Sequence, residues 1–422
     1  MAVIVQKFGG MSLAAPQRIL HCAARAIETQ RRGDQVVVVV SAMGDTTDDL
    51  VSLAAQVTDR PSQREMDMLL STGEQVTTAL MTMALHRRGA DAVAMTGPQT
   101  GIITDDLHTK ARIRSIDTRC LHMELERGRI IVVAGFQGMS SDGQLTTLGR
   151  GGSDTTAVAI AAALGVGEAG GICEIYTDVD GVYTADPKFV PSARKLSRIS
   201  YAEMLELASL GAGVLQNRAV IFGQRYGVPI HVRHSETAAA GTMIIKETPA
   251  MEEISVVGCA LKTDLGRISL RGIPNQPGVQ AIIFQPIADT RVVVDDIVQT
   301  EEGPTITVAF TVDHQDLADV KVAAEKALED LGGGELAVEV GLAKVSAVGV
   351  GMRTHSGVAA TMFKALADAG IRITNIMTSE IKISCIVPSD AGEQALQTVH
   401  DAFGLHEAAA QAPNQRVTPS GA

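Results

Sequence analysis

The stretch Leu148 to Thr156, LGRGGSDTT, carries residue types suited to chemistry. Three glycines in four residues let a backbone approach a ligand closely, and Ser153 and Asp154 then open an apolar helical run, AVAIAAALG. Free N–H groups and the positive dipole end of such a helix, with Arg150 beside them, suit an anion. KFGGMS, Lys7 to Ser12, places a lysine at the end of a strand-like run and Gly9 and Gly10 at the turn. The C-terminal edge of a parallel sheet is where ligands bind, and a lysine there can neutralise phosphate oxygens during transfer. Taken singly, each stretch is also compatible with a capped helix start or a surface lysine before a turn. TDVDGVYTADP, Thr177 to Pro187, reads as a hairpin, and its spacing leaves open whether Thr and Tyr side chains face a nucleotide or solvent.

Other motifs fail on context. Asp178, Asp180 and Gly181 begin a calcium-loop pattern, but the third acidic position and the terminal Glu are missing. Gly165, Gly167 and Gly170 satisfy GxGxxG, yet they follow a helix and precede a strand, the reverse of a dinucleotide site. There is no GxxxxGK[ST]. His231 and His234 flank Arg233 near a strand end without an acidic or cysteine set, so no metal ligands are assigned. Met81 and Met83, on an apolar helix, read as core.

The totals narrow the class. A chain of 422 residues with 45% hydrophobic and 20% charged residues reads as a soluble globular protein of two or three domains. Its formal charge of −12 makes nucleic acid an unsuitable partner, and a phosphate-bearing ligand must be held by local donors. Cys22, Cys120, Cys173, Cys259 and Cys385 are scattered and odd in number, which argues against a disulfide framework or zinc cluster and fits a reducing cytoplasm. The Val36 to Val40 run is too short to span a bilayer, and VIVQKF follows the N-terminus without a signal-peptide block, so export and a membrane partner are not expected.

Apolar periodicity predicts strands at 2–8, 35–41, 91–95, 130–134, 172–177, 229–233 and 243–246. Helices are predicted at 14–32, 48–57, 62–70, 74–88, 110–127, from the central loop to 164, and at 201–209 and 213–226. This alternation implies an α/β layer with a largely parallel sheet over residues 1–246. ETPAMEE, 247–253, is the linker. Beyond it, Pro277-Gly278-Val279 matches Ser356-Gly357-Val358 at an offset of 79, and each copy reads as a βαββαβ unit. The second copy lacks its closing strand. Ile254 to Leu261 is inferred to supply it, so that the first unit, 266–341, is inserted in the second, 254–265 plus 342–404. Residues 405–422 are rich in Ala, Gln and Pro and read as a disordered tail.

KFGGMS, VVVVVSAMGDTT, STGE at 71–74, LGRGGSDTT and TDVDGVYTADP occur in the order seen in aspartate kinases of the amino-acid kinase family. The paired C-terminal units, with NQPGV and TSEIKIS, resemble their tandem ACT domains. The resemblance covers about residues 2 to 403. It implies a three-layer amino-acid-kinase sandwich followed by two ferredoxin-like ACT units, and phosphoryl transfer from MgATP to the side-chain carboxylate of L-aspartate for the lysine, threonine and methionine pathway. An aspartate side chain, with a reference pKa of about 3.9, is already ionised at neutral pH, so such a nucleophile needs no general base. In the resemblance Lys7 matches the lysine that stabilises the transferring group, Gly9 and Gly10 the backbone donors beside it, and Asp154 the acidic residue that organises the centre. Arg150 matches the guanidinium on the substrate α-carboxylate and Glu74 the partner of the α-ammonium, with Ser41, Thr47 and Ser153 on the remaining polar atoms. Ser12, Thr177, Asp178, Tyr183 and Lys188 fall on nucleotide positions.

Three departures stand out: Met11 where Thr or Ser is usual, Gly213 where many members carry a nucleotide-contacting lysine, and Arg372 in place of Asn. Relatives pair their ACT units between chains and bind lysine, threonine or both there. The matching effector candidates are Asn275, Gly278, Gln280, Asp295, Gln299, Arg372 and Ile373, although Gly278 also suits a tight turn and Asp295 a cap. A homo-oligomer is implied, and Met251 is a candidate internal start for a shorter regulatory subunit. The competing readings are a kinase of the same family acting on glutamate, acetylglutamate or carbamate, and a non-catalytic amino-acid sensor.

Overall fold

The computed structural model describes residues 1–210 and 214–407, so Gly213 and the tail beyond Glu407 lie outside the described residues. The chain divides into two compact units. The first comprises residues 1–183 and 195–251; the second comprises residues 184–194 and the chain from Glu252 onward.

In the first unit an eight-stranded sheet runs in the order Arg198–Ser200, Thr242–Ile245, Ile230–His234, Ile172–Thr177, Val3–Phe8, Gln35–Val40, Ile130–Ala134, Ala92–Met95. All neighbours are parallel except Ile230–His234 with Thr242–Ile245. The period-2 alternation of a strand sends Phe8, Val36, Val38 and Val40 to one face, where they pack with Ile19, Cys22, Met81 and Leu85 of two covering helices. Lys7 is therefore directed to the other face, which the helix Gly152–Ala163 covers. A four-stranded sheet, Ile113–Ile116, Ile102–Thr104, Gln137–Ser140 and Leu145–Thr147, leads into that helix.

The α/β class and parallel sheet agree with the sequence reading, but several elements differ. The two helices expected at 62–70 and 74–88 are one helix, Gln63–Arg87. Gly73 marks no break: a Cβ there would stand 2.8 Å from that of Ala42, so glycine serves close packing inside a continuous helix. The helix expected over 110–127 is a strand, Ile113–Ile116, followed by the shorter helix Arg119–Glu126. Met83, expected in the core, is 63% exposed. The hairpin at 177–187 is a loop closed by a single bridge between Tyr183 and Lys195.

In the second unit six strands form one sheet, ordered Asp295–Glu302, Thr305–Asp313, Gly258–Pro274, Glu335–Val348, Lys382–Pro388, Asn375–Thr378. The two long central strands are antiparallel, with Gly258 opposite Val348 and Arg271 opposite Glu335. One end of this ribbon pairs with Thr305–Asp313 and the other with Lys382–Pro388, so each long strand serves both βαββαβ repeats. Gly278 (φ 93°) and Gly357 (φ 92°), at equivalent places in the two repeats, cap the helices Val279–Asp289 and Val358–Asp368 in the left-handed conformation. Residues 184–194, placed by the sequence reading inside 1–246, belong to this second unit. Ala185 and Val190 are buried in its core with Val256, Cys259 and Val399, and the Cys259 amide donates to the Thr184 carbonyl at 2.7 Å. Leu405, assigned to the tail, is likewise buried in that core.

Candidate active site

The site is built where the strand Val3–Phe8 ends opposite the N-terminus of the helix Gly152–Ala163. Lys7 Nζ lies 2.6 Å from Asp154 Oδ1, and the two residues are only 8% and 9% exposed. This pair stands in the shared wall of two cavities. One, of about 230 Å³, is lined by Lys7, Gly9, Gly10, Met11, Ser12, Asp154, Thr177 and Asp178. The other, of about 300 Å³, is lined by Lys7, Gly10, Ser41, Thr47, Glu74, Arg150, Ser153 and Asp154. Every substrate-binding residue named from the sequence lines this second cavity.

Glu74 is its most informative group. It is 4% exposed; Oε1 accepts the Ala42 amide at 3.0 Å, and Oε2 is buried without a partner among the described residues. Burial pushes its pKa up to about 7, a rise that the Ala42 hydrogen bond and the nearby Lys7 charge only partly offset. A buried carboxylate oxygen without a partner, on a residue that lines a cavity, asks for a cation. Across the same cavity Arg150 has no carboxylate partner among the described residues, so its guanidinium is available to an anion.

The first cavity has fewer committed groups. The Ser12 hydroxyl is buried and unpartnered, while Thr177 Oγ1 donates to Asp178 Oδ1 at 2.9 Å. Three of the nucleotide candidates stand apart from the rest. The Gly9 amide donates to the Tyr176 carbonyl at 3.1 Å, so it is not a free phosphate donor; Gly9 lines the cavity beside Lys7 instead. Tyr183 is absent from the lining of both cavities; its hydroxyl donates to Asp180 Oδ1 at 2.9 Å, and Asp180 is in turn paired with Lys195. Lys188 sits in the 184–194 segment of the second unit, its amide donating to Asp186 Oδ1 at 2.9 Å.

The loop carrying Arg150 is anchored by residues the sequence reading missed. Asp67, fully buried, accepts from Thr147 Oγ1 at 2.5 Å, from the Thr109 amide at 2.9 Å and from His108 Nδ1 at 2.6 Å. Thr147 immediately precedes the loop, and Asp67 lies seven residues before Glu74 on the same helix, two turns away on one face. That spacing of two carboxylates was the available signal. On the loop's other side Arg218 donates to the Leu148 and Ala111 carbonyls at 2.6 and 3.0 Å. Gly151 has φ 68°, and a Cβ there would come within 1.7 Å of the Gln216 side chain, so glycine is required. Phe136, which lines the second cavity, is held at φ 70°, a conformation that costs roughly 1–3 kcal/mol.

Among the effector candidates, Gln280 Nε2 donates to Gln299 Oε1 at 2.8 Å, the Asn275 amide donates to Pro304, and Gly278 caps the adjacent helix. Asp295 is engaged by the buried ammonium of Lys344. Arg372 and Ile373 lie in the other repeat, before the strand Asn375–Thr378, with Arg372 exposed.

Comparison with known proteins gives these features a family. The model of the amino acid kinase family matches residues 2–234, and that of an ACT domain matches 345–403. The chain belongs to the amino acid kinase family. Along its whole length its relatives are aspartokinases. That of Geobacillus stearothermophilus is 49% identical, over 97% of this chain and 99% of its own. Aspartokinase 2 of Bacillus subtilis is 49% identical, over 96% and 98%. Among solved structures, aspartate kinase from Synechocystis is 40% identical with a TM-score of 0.55, covering 98% of this chain and 71% of that one. E. coli aspartokinase III in complex with aspartate and ADP is 26% identical with a TM-score of 0.76, covering 95% and 99%.

The anchoring role of Asp67 is testable. Asp67→Asn replaces one acceptor oxygen with a donor facing three donors, and is expected to cost about 1–3 kcal/mol of stability. It should also raise the KM of the substrate held by Arg150 more than that of the nucleotide, as measured by chemical unfolding and steady-state kinetics.

Proposed function

We propose that this chain transfers the terminal phosphoryl group of ATP to the side-chain carboxylate of L-aspartate, giving 4-phospho-L-aspartate. The observation that carries this is the pairing of an unpartnered buried carboxylate oxygen, Glu74 Oε2, with the free guanidinium of Arg150 in one cavity. Such a pair is complementary to the ammonium and α-carboxylate of an amino acid, and leaves the side-chain carboxylate to reach Lys7. Arg150 grips the α-carboxylate through its fork, Glu74 the ammonium, and Ser41, Thr47 and Ser153 the remaining polar atoms. The nucleotide occupies the cavity at Gly9, Gly10, Ser12, Thr177 and Asp178, and Lys7 screens the charge that develops between the two anions. No residue need remove a proton, because the attacking carboxylate is already ionised. The carboxylates of Asp154 and Asp178 and the hydroxyls of Ser12 and Thr177 are the oxygen groups of this cavity that would hold the magnesium carried with ATP, which would neutralise phosphate charge. The intact Lys7–Asp154 pair and the filled set of substrate positions favour an enzyme over a non-catalytic sensor.

E. coli aspartokinase III has been seen in complex with lysine and aspartate. Lysine or threonine, binding at the ACT units, is the feedback effector proposed here, in a homo-oligomer whose subunits meet through those units. The strands Asp295–Glu302 and Asn375–Thr378 are the edges of the second unit's sheet and offer unpaired backbone groups for such pairing. A cytoplasmic setting fits the five free cysteines, four of them buried, and among the described residues no helix is long and apolar enough to cross a membrane. Met251 ends the first unit and is the proposed start of a shorter regulatory product, which untagged native expression would reveal as a second band on a denaturing gel.

The experiment is hydroxylamine trapping of the acyl phosphate, with L-aspartate and L-glutamate compared across pH. Aspartate should give product and glutamate little. With the Glu74 pKa raised to about 7, protonation below that pH removes the ammonium's partner, so the KM for aspartate should rise as pH falls from about 8 to 6. Glu74→Gln should raise that KM roughly 10–100-fold and flatten its pH dependence. The stability effect has the opposite sense: the ligand-free wild type loses stability as pH rises through about 7 and the buried carboxylate ionises, whereas the glutamine variant does not. Absence of product from aspartate with a folded, ATP-binding protein would overturn the assignment.

A further inference from the structure

Helix Gly392–Ala402 ends in His400 and Asp401, and the chain turns through Gly404 (φ 62°) to bring His406 back beside them. Backbone bonds pin this turn: the Gly404 amide donates to Asp401 at 3.0 Å and the Leu405 amide to His400 at 3.2 Å, while Leu405 anchors in the core. The His400 ring is fully buried. Its Nε2 lies 3.0 Å from Thr184 Oγ1, but its Nδ1, also buried, has no hydrogen-bond partner among the described residues. That nitrogen faces Asp401 Oδ1 at 3.7 Å, and the same oxygen is 3.8 Å from His406 Nδ1. Ligand atoms of all three residues fall within 4.8 Å of one another, the one such grouping of three among the described residues.

A buried imidazole nitrogen without a partner calls for one. Thr184 Oγ1 already accepts the Arg194 amide at 2.9 Å and retains acceptor capacity. If the His400 Nε2–H donates to it, Nδ1 presents its lone pair to the cluster. This is the outer-shell arrangement that orients a metal-ligating histidine.

We propose that His400 Nδ1, Asp401 Oδ1 and a ring nitrogen of His406 bind one divalent transition-metal ion of the zinc class, with water completing the coordination. Two imidazoles and one carboxylate suit such an ion better than the all-oxygen shells of magnesium or calcium. Bonds of about 2.0–2.1 Å in a tetrahedron put neighbouring ligands roughly 3.3–3.4 Å apart, so the two spacings to Asp401 must close by a few tenths of an ångström and the two imidazole nitrogens must draw together from within 4.8 Å of each other. Asp401 and His406 have side chains 66% and 43% exposed, which leaves the ion an open approach. Once bound, it clasps the turn at 403–406 to the helix end and, through His400 and Thr184, stiffens the 184–194 segment in the second unit.

The test is calorimetric titration of metal-stripped full-length protein with Zn²⁺, beside cobalt absorption spectroscopy. Wild type should show one saturable site and the visible bands of a low-symmetry Co²⁺ complex. His406→Ala, at an exposed position that leaves the fold intact, should lose both. Thr184→Val should weaken Zn²⁺ binding about 10–100-fold. No saturable site in wild type, or binding unchanged in both His406→Ala and Asp401→Asn, would overturn the proposal.

Discussion

A lysine ammonium and a carboxylate, 2.6 Å apart and nearly cut off from water, stand where two cavities meet, and the first unit is arranged to keep them there. Such a pair adds little to stability, because desolvating both charges offsets most of their attraction, whereas removing one partner costs about 3–5 kcal/mol. Its value is positional. The strand Val3–Phe8, buried between parallel neighbours on both sides, holds the Lys7 backbone, and the buried first turn of Gly152–Ala163 holds Asp154. The ammonium is thereby oriented before either ligand arrives, and electrostatic preorganisation of this kind needs no rearrangement during transfer.

Around this pair the second cavity is assembled from distant parts of the chain. Glu74 comes from the helix Gln63–Arg87, Ser41 from the end of the strand Gln35–Val40, and Arg150 from the glycine loop. The link between helix and loop is Asp67, whose hydrogen bonds from three donors fix the loop's entry to the face that also carries Glu74. The cation-seeking and anion-seeking sides of the cavity are therefore set by one rigid body.

Much of this was legible in the sequence, because glycine loops and an ionic pair at strand and helix ends are local features with local signals. LGRGGSDTT and KFGGMS fall in the site, seven of the eight strands of the larger sheet follow the apolar runs while Arg198–Ser200 does not, and the repeat offset of 79 reappears as equivalent helix caps at Gly278 and Gly357. What was not legible depends on tertiary partners. Gly73 looks like a break and is a packing contact; the Gly9 amide looks free and is taken by Tyr176. The hairpin read over 177–187 and the residues after it fall by sequence in the first domain, but Ala185 and Val190 find their core in the second unit. That is why Lys188, adjacent in sequence to nucleotide positions, lies in another body.

The most direct test of the central claim is to measure equilibrium binding of ATP and of L-aspartate to Lys7→Ala and Asp154→Asn alongside their turnover. If the pair screens charge at the point of transfer, kcat should fall by at least about 10²–10³-fold in each variant while both ligands still bind, with much smaller changes in affinity. A variant that turns over near the wild-type rate, or that loses one ligand while kcat at saturation is preserved, would contradict it.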